Sequence, residues 1–199
     1  MKKSTISIIF AAIFCFSITN VFAQYDKPNR IFKKGQMDVN FQLGLAPTFL
    51  ADKGKSIVPP LLVGVDYMFS DNFSLGLSFG HSATNTKKEL ISDGILGHWN
   101  NKTFEATLKT GFHVTKFDDM SIYGGFLLNY NVAKVTASHP EEMAEIAHHK
   151  GIEPTETSVI PGGYIGFKYA VTRKLTLNSE LGFSGLSIFK VGVGYRLLK

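Results

Sequence analysis

The sequence predicts an all-β fold: an eight-stranded antiparallel up-and-down barrel that crosses a membrane, preceded by an N-terminal export signal. Three observations predict it. The first residues read as a cleavable leader. Apolar residues then alternate with small or polar ones in eight successive runs. The connectors between those runs alternate between long and short.

The leader opens on Lys2 and Lys3, continues as an apolar run from Ile6 to Phe16 and closes on Val21-Phe22-Ala23. Those flanks and that length suit a secretory signal peptide cut after Ala23 rather than a membrane anchor. The expected division is residues 1–23 as signal, 24–34 as a periplasmic N-terminal segment and 35–199 as the barrel domain. Cys15, the single cysteine, lies within the leader behind Phe14, where a lipid-attachment site needs a small residue. The mature chain is therefore expected to have no disulfide, no cysteine metal site and no thiol catalysis. No second apolar run reaches the length of a spanning helix. The net charge of +5 falls by two with the loss of Lys2 and Lys3, too little and too scattered for a nucleic-acid partner.

The strands follow in order, each named by its apolar face. They are Met37 to Leu45, Leu61 to Phe69, Phe73 to Phe79, Phe104 to Val114, Ile122 to Val132, Ile165 to Val171, Leu175 to Phe183 and Phe189 to Leu197. Alternation of this kind marks two-faced strands, and tilted membrane strands need about 9–11 residues. The connectors run long (Pro47 to Ser56), short (Ser70 to Asn72), long (Thr84 to Asn100), short (Lys116 to Met120), long (Ala133 to Ser158) and short (Thr172 to Arg173). A tight turn near Gly185 comes last. Short turns at one end and long loops at the other are the pattern of membrane barrels.

Volume decides which face meets lipid. The apolar face carries far more large side chains than an eight-stranded interior can hold. The opposite face is rich in glycine, at positions 44, 64, 76, 80, 111, 162, 166, 182, 192 and 194. The small and charged face therefore points inward, the reverse of a soluble lipocalin-like carrier. Threading the strands up and down puts Tyr67, Phe69, Phe73, Phe112, Tyr169 and Tyr195 at the short-turn end. Phe79, Phe104, Tyr130, Phe183 and Phe189 fall at the long-loop end. Two aromatic girdles around an aliphatic middle match two lipid–water interfaces.

Leader, strand pattern and the closing segment Val191-Gly192-Val193-Gly194-Tyr195-Arg196 together resemble the small outer-membrane β-barrels of the OmpA/OmpX/OmpW type, in the style of Bacteroidota. The resemblance implies a cell outer-membrane location, export through the secretory pathway and assembly by the barrel-assembly machinery with periplasmic chaperones. It also implies a monomer surrounded by lipid and lipopolysaccharide, with no cofactor. Members typically end on an aromatic residue, where this chain has Lys199.

Function is read from the inner face. Asp66, Glu105, Lys109, Lys168, Glu180, Lys190 and Arg196 lie there, with His113. Charges inside a narrow barrel need partners, because unpaired burial is costly. The expected arrangement is an ion-pair network plugging the lumen, with Glu180 and Lys190 paired across the Gly185 turn. The protein is then non-enzymatic, with a structural or surface-interaction role. A narrow pore gated by partner exchange is one alternative, and an outer-membrane lipid-modifying enzyme is another. His81 and Ser82 would serve the enzyme, but adjacent residues on a strand face opposite ways. In the third long loop, Ser138-His139-Pro140-Glu141 has the form of a helix start and Gly151 can end that helix. Glu141, Glu145 and His149 would share one face of it, with His148 beside them, as a weak metal candidate or a solvated acidic surface.

Overall fold

The computed structural model describes residues 32–48, 55–86, 89–92, 95–114, 118–139, 143, 147–148 and 152–198. The leader, the cut at Ala23 and Lys199 lie outside the described residues. The strands are β1 (Met37–Gly44), β2 (Lys55–Ser70), β3 (Phe73–Asn85), β4 (Glu89–Ser92), β5 (Ile95–Gly97), β6 (Trp99–Val114), β7 (Met120–Ala137), β8 (Thr155–Ala170), β9 (Leu175–Gly182) and β10 (Phe189–Leu198). Eight of them close an antiparallel barrel in the order β1-β10-β9-β8-β7-β6-β3-β2, each beside its barrel neighbours in sequence, with β1 and β10 sealing it. β4 and β5 form a separate small hairpin within the second long connector, which sequence patterning leaves as plain loop.

The stagger of the wall can be read rung by rung. The ladder leads from Met37 through Tyr67, Leu75, Thr110, Phe126, Gly163, Phe183 and Ser187 to Pro47, just past the end of β1 and ten residues further along the chain. Such a stagger tilts the strands and leaves an interior just wide enough for side chains to fill. The fit is tight. A Cβ on Gly76 would run into the Asp66 carboxylate and lie 2.7 Å from Lys109 Cε. One on Gly166 would enter the Tyr123 ring. Inward glycine is the room that the charged and aromatic side chains occupy.

The apolar faces point outward as the volume argument requires. Phe41, Val63, Leu77, Leu108, Leu128, Ile165, Leu177 and Val193 are all exposed, while the buried set is dominated by polar and charged side chains. At the short-turn end, Tyr67, Phe69, Phe73 and Phe112 form one ribbon, with successive ring centroids 4.8, 6.5 and 5.4 Å apart. At the other end Phe79, Phe104, Tyr130, Phe183 and Phe189 are exposed, and His81 stacks on Phe104 at 4.5 Å.

Strand length departs from the sequence expectation. β2, β6 and β8 have 16 residues and β7 has 18, whereas β1 and β9 have 8. The extra length stands beyond the upper girdle, where Asn100, Asn101, Lys102 and Thr103, or Thr155 to Ser158, are polar on both faces. Polar residues on both faces of a sheet erase the alternation that marks a strand. This tall wall ends in two edges. β8 pairs with β9 only from Tyr164, and β2 with β1 only from Leu61. Pro59, Pro60 and Pro161 stand just above those points, where a residue without an N–H suits an unpaired edge.

Orientation follows from the turns. Asp71 lies in the β2–β3 turn, where it accepts a hydrogen bond from Lys34 N at 2.8 Å, at the end where β1 begins. Glu153 lies in the long β7–β8 connector at the opposite end. An epitope inserted at Glu153 is expected to be stained on intact cells and one at Asp71 only after the outer membrane is breached. The opposite staining would invert the barrel.

Candidate functional site in the barrel lumen

The inner face brings the predicted charges together and adds one. Asp38 stands at the start of β1, on the inward side of the alternation, among the lumen acids. Arg196 Nε donates to Asp38 Oδ1 at 3.0 Å, and Lys168 Nζ lies 3.3 Å from Asp38 Oδ2 and 3.4 Å from Asp66 Oδ2. Lys109 Nζ lies 3.3 Å from Asp66 Oδ1 and 2.8 Å from Glu180 Oε1. Lys190 makes the last, looser contact, 3.9 Å from Glu180 Oε2. The result is one file of alternating sign, Arg196–Asp38–Lys168–Asp66–Lys109–Glu180–Lys190. It climbs from the short-turn end toward the long-loop end. Six strands supply it: the links made by Lys168 and Lys109 join non-neighbouring strands across the lumen, while Arg196–Asp38 and Glu180–Lys190 join adjacent ones.

Glu180 and Lys190 are opposite one another in the β9–β10 register, as the sequence suggests. The closest partner of Glu180 is nevertheless Lys109, from across the lumen. Strand spacing reports neighbours within the sheet, and it cannot report contacts through the interior.

Neutral groups complete the file. Tyr123 Oη donates to Glu180 Oε1 at 2.9 Å, and Asn40 Nδ2 to Asp66 Oδ2 at 2.7 Å. Below them His113 lies between Ser74 Oγ, 2.8 Å from Nε2, and Ser121 Oγ, 2.9 Å from Nδ1, with its ring stacked on Tyr123. A base within reach of two hydroxyls is the geometry of a nucleophile pair. Here all three residues are buried, so the ring links β3, β6 and β7.

Glu105, expected within the ion-pair network, stands outside this file of charges. Its carboxylate accepts the Leu186 backbone N–H at 2.8 Å and lies 3.0 Å from Thr107 Oγ1. The segment between Phe183 and Ile188, expected as a simple tight turn, carries Ser184, Leu186 and Ser187 into the mouth of the barrel. Gly185 takes φ +97°, a left-handed value that favours glycine, and Leu186 is 1% exposed. Asn129 Nδ2 donates to Ser184 Oγ at 2.7 Å, and Thr48 Oγ1 to the Gly185 carbonyl at 2.8 Å. A Cβ on Gly80 would meet Leu186 Cδ1 at 2.8 Å, which measures how closely the leucine seats against β3. Counting Glu105, the described residues place four buried acids (Asp38, Asp66, Glu105, Glu180) and four buried lysine and arginine cations (Lys109, Lys168, Lys190, Arg196) in the lumen.

The family model of the outer membrane protein beta-barrel domain matches residues 8–196. The chain belongs to this family. Among solved structures, this outer-membrane barrel is similar to OprG from Pseudomonas aeruginosa, with TM-score 0.53 and 16% identity over 83% of this chain and 97% of that one. It is also similar to Ail from Yersinia pestis, with TM-score 0.49 and 14% identity over 82% of this chain and 99% of that one. At these identities the likeness is one of fold. No curated protein matches the sequence.

The remaining sequence candidates lie outside the lumen of this outer-membrane barrel or are not brought together. His81 faces outward, with Nδ1 3.1 Å from the Thr103 carbonyl oxygen, while Ser82 is buried on the inner face. They form no base–nucleophile pair. In the third long loop Met143, Ala147 and His148 are helical, and Met143 N donates to the His139 carbonyl at 3.0 Å. Ser138, expected to cap that helix, accepts the His98 N–H at 3.0 Å. Glu141, Glu145 and His149 lie outside the described residues. Among the described residues no cluster of three metal-ligating side chains occurs.

Proposed function

We propose that this outer-membrane barrel is non-enzymatic and closed, serving a structural or surface-interaction role rather than forming an open pore. The observation that carries the reading is the unbroken file of alternating charges from Arg196 to Lys190, capped by the inward Ser184–Ser187 turn. Each ammonium in the file faces carboxylates, so an ion entering the lumen would displace a partner already in place and leave buried charge uncompensated. The same reading has the chain exported by its leader, folded by the barrel-assembly machinery with periplasmic chaperones, and resident as a monomer among outer-membrane lipids.

Reconstitution into planar bilayers tests it. The wild type is expected to show little conductance, with only rare openings. A steady, large conductance would replace this reading with the narrow pore. Asp66, shared between Lys109 and Lys168, would then be the place to look for partner exchange.

A further inference from the structure

The outer surface carries a second arrangement of charge, above the lipid band. On the outward face just beyond the upper girdle, Lys102 of β6 and Lys134 of β7 are direct cross-strand partners. Like charges directly opposite one another on a ladder are destabilising, because their Cβ atoms stand about 5 Å apart. The flanking positions on that rung are Ala83 and Thr155, and neither offers a negative charge. The rung below is His81, Phe104, Val132 and Thr157, and the rung above is Asn85, Asn100 and Thr136. Lys55, opposite Asn85, adds a third cation on β2. Glu156 is paired with Ala133 and belongs to the other face. Both paired lysines are exposed, and among the described residues neither has an acidic partner within ion-pair distance.

We infer that Lys102 and Lys134 form a two-pronged site for the phosphate of a lipid headgroup in the outer leaflet. An isolated pair of opposed ammonium groups is unfavourable, whereas the same pair on either side of a multiply charged oxyanion makes two charge-assisted contacts. Position selects the source of the anion. The pair faces away from the lumen and sits one rung above the stacked His81–Phe104 rings, at the depth where headgroups begin. Lipid there is held at high local concentration beside the wall. A phosphate borne on acyl chains can lie against the girdle and reach the lysines together. The site depends on the orientation given above and not on whether the lumen conducts.

The test uses the full barrel, refolded into vesicles of phosphatidylcholine alone or of phosphatidylcholine with bisphosphorylated lipid A. In phosphatidylcholine alone, Lys134→Gln is expected to raise the urea midpoint by relieving repulsion. In lipid A vesicles the wild type is expected to gain stability and the variant to forgo most of that gain. Lipid A retained by the barrel extracted in neutral detergent is expected to fall about tenfold or more in Lys102→Gln/Lys134→Gln, since each basic residue at an anionic lipid surface contributes about 1 kcal/mol. Lys174→Gln, at the opposite end, leaves retention unchanged. Equal retention by the double variant would overturn the site, as would equal retention of dephosphorylated lipid A by the wild type. Displacement of lipid A by an equal concentration of inorganic phosphate would show a free-anion site and overturn the lipid assignment.

Discussion

Glu180→Gln is expected to destabilise the barrel by about 3–5 kcal/mol, the cost of leaving buried charge without its partner. Glu180 accepts Lys109 at 2.8 Å and Tyr123 at 2.9 Å, and stands 3.9 Å from Lys190. Among the described residues, removing its charge leaves Lys109 with Asp66 alone and Lys190 with no ion pair. Combining Glu180→Gln with Lys109→Met is expected to recover a substantial part of the loss, because the uncompensated cation leaves with its partner. Combining it with Lys190→Met recovers less, since Lys190 is the looser contact. The measurement is the urea midpoint of barrels folded in lipid vesicles, compared across the single and double variants. A double variant as unstable as the sum of its parts would mean that Lys109 and Glu180 act independently.

Leu77→Arg is expected to cost about 2–4 kcal/mol, the penalty for a basic side chain on the lipid face near the bilayer midplane. Leu77 is 47% exposed and sits between Val65 and Leu108 on the adjacent strands, midway between the two girdles. An arginine there has no nearby headgroup to reach. Ser78→Arg tests the other face. Ser78 is buried, and its Cβ lies 2.7 Å from where a Cβ on Gly64 would stand, so an arginine there meets crowding instead of lipid. Unfolding from vesicles separates the cases. If Leu77→Arg left the midpoint in lipid unchanged, the apolar faces would not be the lipid faces.

The membrane-embedded barrel was legible because lipid outside and packed polar groups inside impose opposite demands on alternate residues. Val63, Val65 and Tyr67 against Gly64 and Asp66 already state both. The wall above the membrane was not legible. There Lys102 and Thr103, or Thr155 and Glu156, are polar on both faces, and period two carries no contrast. Inside, the alternation named most of the residues that meet, though Asp38 was passed over, but not which ones touch. Lys109 reaches Glu180 across a separation of 71 residues, a contact set by stagger and tilt. Leu186 was hidden for a different reason. A lone leucine beside Gly185 looks like part of an exposed turn until Glu105, 81 residues earlier, is seen holding its N–H.

The closure of β1 on β10 has a consequence for the order of events during synthesis. Asp38 emerges early, yet its partners Arg196 and Lys168 follow 158 and 130 residues later. Hairpins such as β2–β3 or β6–β7 can register as soon as their own strands exist, because their contacts are local. The acids of β1 and β2 gain no such early relief. Until the last strand is delivered, Asp38 and Asp66 can enter a lipid-enclosed space only with some of their countercharge missing. A chain stopped short of Arg196 would therefore be both open at its seam and electrically unbalanced within. The interior thus discriminates between a finished polypeptide and a truncated one that shares nearly all of its strands.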